Sequence, residues 1–186
     1  EFAKVEAKLV ITVDCGISCC KEVQKAVENG VDIIITDHHT IPEVLPSHDC
    51  AILHPKTNSC AYPFSELTGA GVALKFAQAL IKSKEDVQAP SDFLDSLLDL
   101  AALGTVADLG SLTGENRLIV KRGLEVLANT RWHGLKKLKQ LANIKEGDVM
   151  DPIKIGFQIA PRINAAGRIG DPYTALQLLL QESENE

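Results

Sequence analysis

Several things are scarce in this chain of 186 residues, and each scarcity excludes something. Only 4% of the residues are aromatic, with a single Trp and a single Met, so the core must be aliphatic. There is no excess of basic residues: the formal net charge is −6, so the chain carries no global electrostatic footprint for coating nucleic acid. Any contact with DNA or RNA has to be local. No stretch is apolar for long enough to span a bilayer, and no signal peptide is visible. The five cysteines, an odd number, form no C-x-x-C pair. Taken with His38, His39, His48 and His54, their spacing fits no usual structural zinc site, and reduced, small, buried thiols of a cytosolic protein are expected. An initiator Met is missing, the first strand begins almost at once, and the last helix runs into an acidic tail. The expectation is a fragment of a longer protein.

What is present begins with two apolar runs. Lys8-Leu9-Val10-Ile11-Thr12-Val13 ends on Asp14-Cys15-Gly16, and Val31-Asp32-Ile33-Ile34-Ile35 ends on Thr36-Asp37-His38-His39. Short, β-branched and bounded by turn residues, both are predicted to be buried strands. Between them Ser18 to Asn29 reads as a helix, with Ser18 as N-cap, Val23, Ala26 and Val27 as its apolar stripe, and Asn29-Gly30 as its stop. Strand, helix, strand is a βαβ unit with parallel strands. Parallel strands end on one edge, so Asp14 and the Asp-His-His group become neighbours on the rim where open α/β sheets bind ligands. An acidic balance is compatible with such a site, because a bound divalent cation inverts the local charge.

Further along, Cys50-Ala51-Ile52-Leu53 is a third strand, followed by His54-Pro55-Lys56. If it joins in parallel, His54 and Lys56 reach the same rim; otherwise His54 merely caps a turn. Thr68-Gly69-Ala70-Gly71 opens a helix to about Lys84 and offers either a phosphate cradle of bare amides or close helix packing. Glu85 to Pro90 is a polar connection. Ser91 caps a buried helix from Asp92 through Leu103, which ends near Asp108; that acid either caps the next turn or reaches a metal. Glu115 to Ala128 is another helix. Arg131, Lys136, Lys137, Lys139 and Lys145 with Trp132 suit single-stranded nucleic acid or a solvated helix face. Pro152 to Ile159 reads as a helix that breaks into a Gly/Ala-rich turn, where Arg162, Asn164 and Arg168 form an anion fork. Asp171-Pro172 starts the last helix. The organisation predicted is an α/β part over residues 1–64, a parallel sheet with flanking helices, followed by a mainly helical part over 65–186.

Five segments in order resemble the DHH phosphoesterase superfamily: Val13-Asp14-Cys15-Gly16, Thr36-Asp37-His38-His39, the run from Pro63 to Ala73, Gly104-Thr105-Val106-Ala107-Asp108, and Pro161 to Arg168. The last run is similar to the branch of single-stranded-DNA exonucleases. The resemblance implies Asp14, His38 and Asp108 as ligands of Mn²⁺ or Mg²⁺, His39 as a catalytic residue touching phosphate, and Arg162, Asn164 and Arg168 as binders of the DNA backbone. It implies 5′-to-3′ hydrolysis of single-stranded DNA in repair and recombination, a cytoplasmic location, no membrane, and a single-stranded-DNA-binding protein or helicase as partner. Relatives commonly carry Asn-Pro where this chain has His54-Pro55, so His54 receives no ligand role. The family's first Asp-x-Asp-Gly motif and its carboxy-terminal DHHA1-type domain are absent, which makes residues 1–186 a partial catalytic domain. The alternatives are a DHH phosphoesterase for short oligonucleotides or cyclic dinucleotides, a non-catalytic DHH interaction module, and a zinc-binding cysteine protein.

Overall fold

A computed structural model describes residues 6–46, 49–58, 60–83, 92–181 and 183. His48, Ser91, Lys84 and the connection at 85–90 lie outside the described residues. The sheet is built first along the chain. Strands β1 (Leu9–Val13), β2 (Asp32–Thr36) and β3 (Ala51–Leu53) lie side by side in that order, all parallel. The register pairs Val13 with Thr36 and Thr36 with Leu53, so the three strands end level. The ladder continues past the strands: Asp14 N–H donates to Thr36 O at 2.9 Å and Asp37 N–H to Leu53 O at 3.2 Å. The expected parallel sheet is borne out.

Helix α1 (Cys20–Glu28) crosses between β1 and β2 and covers one face of the sheet. Val23 packs with Val31, Ile33 and Ile35, and Val10, Ala26, Val27 and Ile52 close the cluster. The helix starts one residue later than expected. Ser18 is not its cap; Cys19 occupies that position and no side chain caps it. Its end is as predicted, with Gly30 at φ +75° taking the left-handed turn that favours glycine.

The other face of the sheet corrects a prediction. Leu9, Ile11 and Val13 of β1 are 49%, 43% and 55% exposed, not buried. Periodicity reports that a run is apolar; it does not report that, among the described residues, the strand sits at an edge with one face uncovered.

Among the described residues every regular element after β3 is a helix, as expected of a mainly helical part. Helices α2 (Gly69–Ser83), α3 (Leu98–Ala107), α4 (Gly114–Ala128) and α5 (His133–Leu141) follow in turn. Small residues let them approach closely: a Cβ on Gly104 would overlap Ala70 Cβ, and one on Gly123 would overlap Leu98 O and Ala102 Cβ. The largest core joins α3, α4 and α5 to residues 155–159 through fully buried Leu127, Leu135, Ile155 and Ile159. Each such side chain contributes roughly 1.5–3 kcal/mol over its exposed state.

Part of the basic, aromatic start of α5 turns out to be scaffolding. Asp99, wholly buried, accepts from Thr130 Oγ1 at 2.5 Å, Trp132 Nε1 at 3.2 Å and Leu100 N–H at 2.7 Å. Burial pushes its carboxyl above the usual range. Arg131 lies over the Trp132 ring, 4.7 Å from its centroid. Lys139 donates to Leu127 O and Ala128 O and so caps the end of α4. Lys136 and Lys137 remain exposed.

The last segment differs from the predicted turn. Short helix α6 (Pro152–Lys154) runs into a π-helical turn (Ile155–Ile159) and then α7 (Ala160–Ile169), with Pro161 in its first turn. The widened turn accommodates the proline, so the chain stays helical where Pro, Gly and Ala suggested a break. Helix α8 (Pro172–Leu180) is capped by Asp171, whose side chain accepts from Tyr173 N–H at 2.9 Å. Among the described residues no helix is long and apolar enough to cross a membrane.

Candidate metal centre

The level strand ends bring Asp14, from β1, beside the Asp37-His38-His39 corner that follows β2. Asp14 has φ +62°, a left-handed conformation uncommon outside glycine, which turns its carboxylate inward over the rim. It lies against the first turn of α2, where a Cβ on Gly69 would collide with its carboxylate. Of the two readings of the glycine pair, close packing is the one the geometry shows, and what packs there is a site residue.

Asp108 arrives from the helical part. It follows the last turn of α3, which continues through Gly104 to Ala107 rather than stopping before it. Two hydroxyls tie that region to the start of α2: Thr68 Oγ1 and Thr105 Oγ1 are 3.0 Å apart, in the interior. Among the described residues the Asp108 carboxylate makes no capping hydrogen bond, and Thr113, not Asp108, occupies the N-cap of α4. Asp108 Oδ2 stands 3.5 Å from His38 Nε2, while Asp14 Oδ1 stands 3.0 Å from the same nitrogen.

That nitrogen is the key atom. His38 Nε2 is buried, and despite the two nearby carboxylates it has no hydrogen-bond partner. It stands between two carboxylate oxygens, within ion-pair reach of both and with an aligned hydrogen bond to neither. One ligand atom each of Asp14, His38 and His39 lie within 4.8 Å of each other. The donor set, imidazole with carboxylates from separate elements, fits a divalent cation.

Asp37, expected at the rim with the two histidines as one of the Asp-His-His group, instead turns its carboxylate to backbone N–H groups and to His39. Its side chain is 1% exposed. Oδ2 accepts from Ile17 N–H at 2.9 Å; Oδ1 accepts from His38 N–H at 2.7 Å and His39 N–H at 3.2 Å, and lies 2.7 Å from His39 Nδ1. Burial opposes ionisation, but these hydrogen bonds outweigh it and hold the carboxyl at about 2. The same bond to Asp37 raises the pKa of His39. It commits Nδ1 and leaves Nε2 as the free ring atom of an exposed imidazole whose ring centre is 4.6 Å from that of His38.

His54 and Lys56 do reach this rim, as a parallel β3 requires. Both bond to the backbone of the two histidines. The cysteines take no part in the cluster: Cys15 and Cys19 are exposed, Cys20, Cys50 and Cys60 half-buried, so none is the fully buried thiol expected.

Arg162, Asn164 and Arg168 all sit on α7. Helical spacing puts Asn164 and Arg168, four apart, on one face and Arg162 on another, so they are not a single fork. Arg162 donates to Gln158 O and to Leu141 O. Among the described residues Asn164 and Arg168 have no side-chain partner, and both are exposed.

Residues 2–105 match the DHH family, N-terminal domain. The chain belongs to the DHH family. Within that family it is 47% identical over 178 residues to the single-stranded-DNA-specific exonuclease RecJ of Bacillus subtilis (strain 168), covering 96% of this chain and 21% of that protein. Among solved structures it resembles exonuclease RecJ bound to manganese, with TM-score 0.79 and 37% identity over 96% of this chain and 43% of the other. It also resembles RecJ in complex with Mg²⁺ from Thermus thermophilus, with TM-score 0.69 and 34% identity over 96% of this chain and 23% of the other. This DHH chain therefore spans about a fifth of the length of the Bacillus relative.

Proposed function

We propose that this DHH chain is the larger part of a catalytic domain for metal-assisted phosphodiester hydrolysis. The full-length protein removes nucleotides from single-stranded DNA, 5′ to 3′, in repair and recombination. The observation that carries this reading is His38 Nε2, buried without a partner between carboxylates delivered by the sheet and by α3. The RecJ structures with manganese and with magnesium support it.

Asp14, His38 and Asp108 would hold the cation, Mn²⁺ or Mg²⁺, and the complete protein would hold two. When bound, such ions activate water and neutralise charge on the phosphate. Asp37 fixes the ring of His39 and favours its protonated form. His39 then offers an Nε2–H to a phosphate oxygen and stabilises charge that builds there. Asn164 and Arg168 hold backbone phosphates from one face of α7, and Arg162 joins them by exchanging its two carbonyl partners for phosphate. These contacts set the register of the strand without reading its sequence. Single-stranded DNA is the partner, delivered in the cytoplasm by a helicase or a single-stranded-DNA-binding protein.

The test is a Mn²⁺ titration by electron paramagnetic resonance of the purified chain and of the full-length protein, each beside His38→Ala. Saturable binding lost in the variant is expected. Equal binding in wild type and variant would remove the site from the DHH corner.

A further inference from the structure

His54 is 3% exposed, and every polar atom of its ring is used. Lys56 N–H donates to Nδ1 at 3.1 Å, so Nδ1 carries the lone pair and the ring proton is on Nε2. Nε2 lies 3.0 Å from His39 O and donates to it. Beside it, Lys56 Nζ donates to His38 O at 2.9 Å. The turn that presents both side chains is closed on His54 O by Thr57 Oγ1 at 3.2 Å. Two consecutive carbonyls, those of His38 and His39, are thus gripped from the end of β3. The N–H groups of the same two residues are gripped by Asp37. A dipeptide held at both its donors and its acceptors has little freedom left in the torsions that aim its side chains.

We propose that His54 is a positioning residue for the metal centre: through Nε2–H to the His39 carbonyl, reinforced by Lys56 on the His38 carbonyl, it aims the His38 ring between Asp14 and Asp108. His54 holds no metal and touches no substrate. The inference rests on the metal-centre reading above. Its physical basis is that groups behind a ligand set the ligand's direction, and losing one typically lowers metal affinity by about 10- to 100-fold. A ring that merely caps a turn before Pro55 needs neither the Nε2 proton nor the contact with His39.

Three forms of the full-length protein decide the matter: wild type, His54→Leu, which keeps bulk and loses both polar atoms, and His54→Gln, which restores a donor at similar reach. The expected result is Mn²⁺ affinity, read by electron paramagnetic resonance, at least about tenfold weaker in the Leu form and mostly regained in the Gln form. In the metal-free protein, long-range ¹⁵N–¹H spectra of the imidazoles are expected to show His54 protonated on Nε2. Wild-type affinity in folded His54→Leu overturns the proposal, as does a proton on Nδ1. If His54→Leu does not fold, the tautomer of the wild type and the affinity of His54→Gln still decide. If wild type itself binds no Mn²⁺, the metal-centre reading fails. In that case the clamp stands or falls on the tautomer and on whether the His38 and His39 amide resonances move in the Leu form but not in the Gln form.

Discussion

Replacing Asp37 with Asn tests the reasoning about the corner most directly, because the change removes charge and keeps shape. Four donors converge on two carboxylate oxygens that are almost wholly out of water. An amide has one acceptor oxygen. If that oxygen serves His38 and His39, the new NH₂ faces the Ile17 N–H, donor against donor; if it turns, the conflict moves to the histidines. A buried donor left without an acceptor costs about 1–3 kcal/mol, and the charge-assisted character of the remaining bonds is lost as well. A second route gives a similar size. A carboxyl held at about 2 instead of 3.8 contributes about 2 kcal/mol to stability at neutral pH. The sign follows from the lowered pKa: the contribution is complete above the unfolded value and disappears as pH falls through the folded one. Urea unfolding followed by circular dichroism is therefore expected to show Asp37→Asn destabilised by about 2–4 kcal/mol at pH 7, with the gap closing between pH 4 and pH 2. A loss below about 0.5 kcal/mol, the range of ordinary surface changes, would refute the account of the corner, and so would a gap that does not vary with pH.

Three other outcomes are expected. Asp108→Asn, at an exposed position, should leave the urea midpoint within about 0.5 kcal/mol of wild type while abolishing saturable Mn²⁺ binding and, in the full-length protein, nuclease turnover; turnover in that variant would sink the ligand assignment. Gly69→Ala forces a methyl into the space of the Asp14 carboxylate, so Mn²⁺ affinity should fall even in the folded fraction, as titration at matched folded concentration would show. Ile11→Lys places a charge in the uncovered apolar face of β1 and should lower self-association of the isolated chain in analytical ultracentrifugation; unchanged association would move the sticky surface elsewhere.

Much of the sheet was legible because its signals are local. Asn29-Gly30 stops α1 through a positive φ, and the level ends of β1 and β2 follow from βαβ geometry. Other features depend on what packs where. Nothing in Leu9, Ile11 and Val13 distinguishes an edge strand from a central one. Pro161 and Gly167 signal a turn locally, yet the π-helical turn before them keeps the chain helical. Asp108 left two readings open until a resemblance across the chain favoured one, since its approach to His38 depends on the packing of α3 on α2. Asp37 and His54 were visible as residue types, but their roles rest on bonds to backbone groups 15 to 20 residues away, which a sequence pattern does not encode.

The core around the sheet and the cores of the helical part are separate clusters, and the candidate ligands lie on both sides of that division: Asp14 and His38 on the sheet, Asp108 on α3. A cation shared across such a seam acts as a cross-link whose strength is set by its free concentration. Amide hydrogen exchange should then resolve two cooperative units in the empty protein, the sheet opening at lower free energy than α3 and α4, and should find them merging toward one as Mn²⁺ is added. A bound ion would then govern whether this chain opens piecemeal or as a whole.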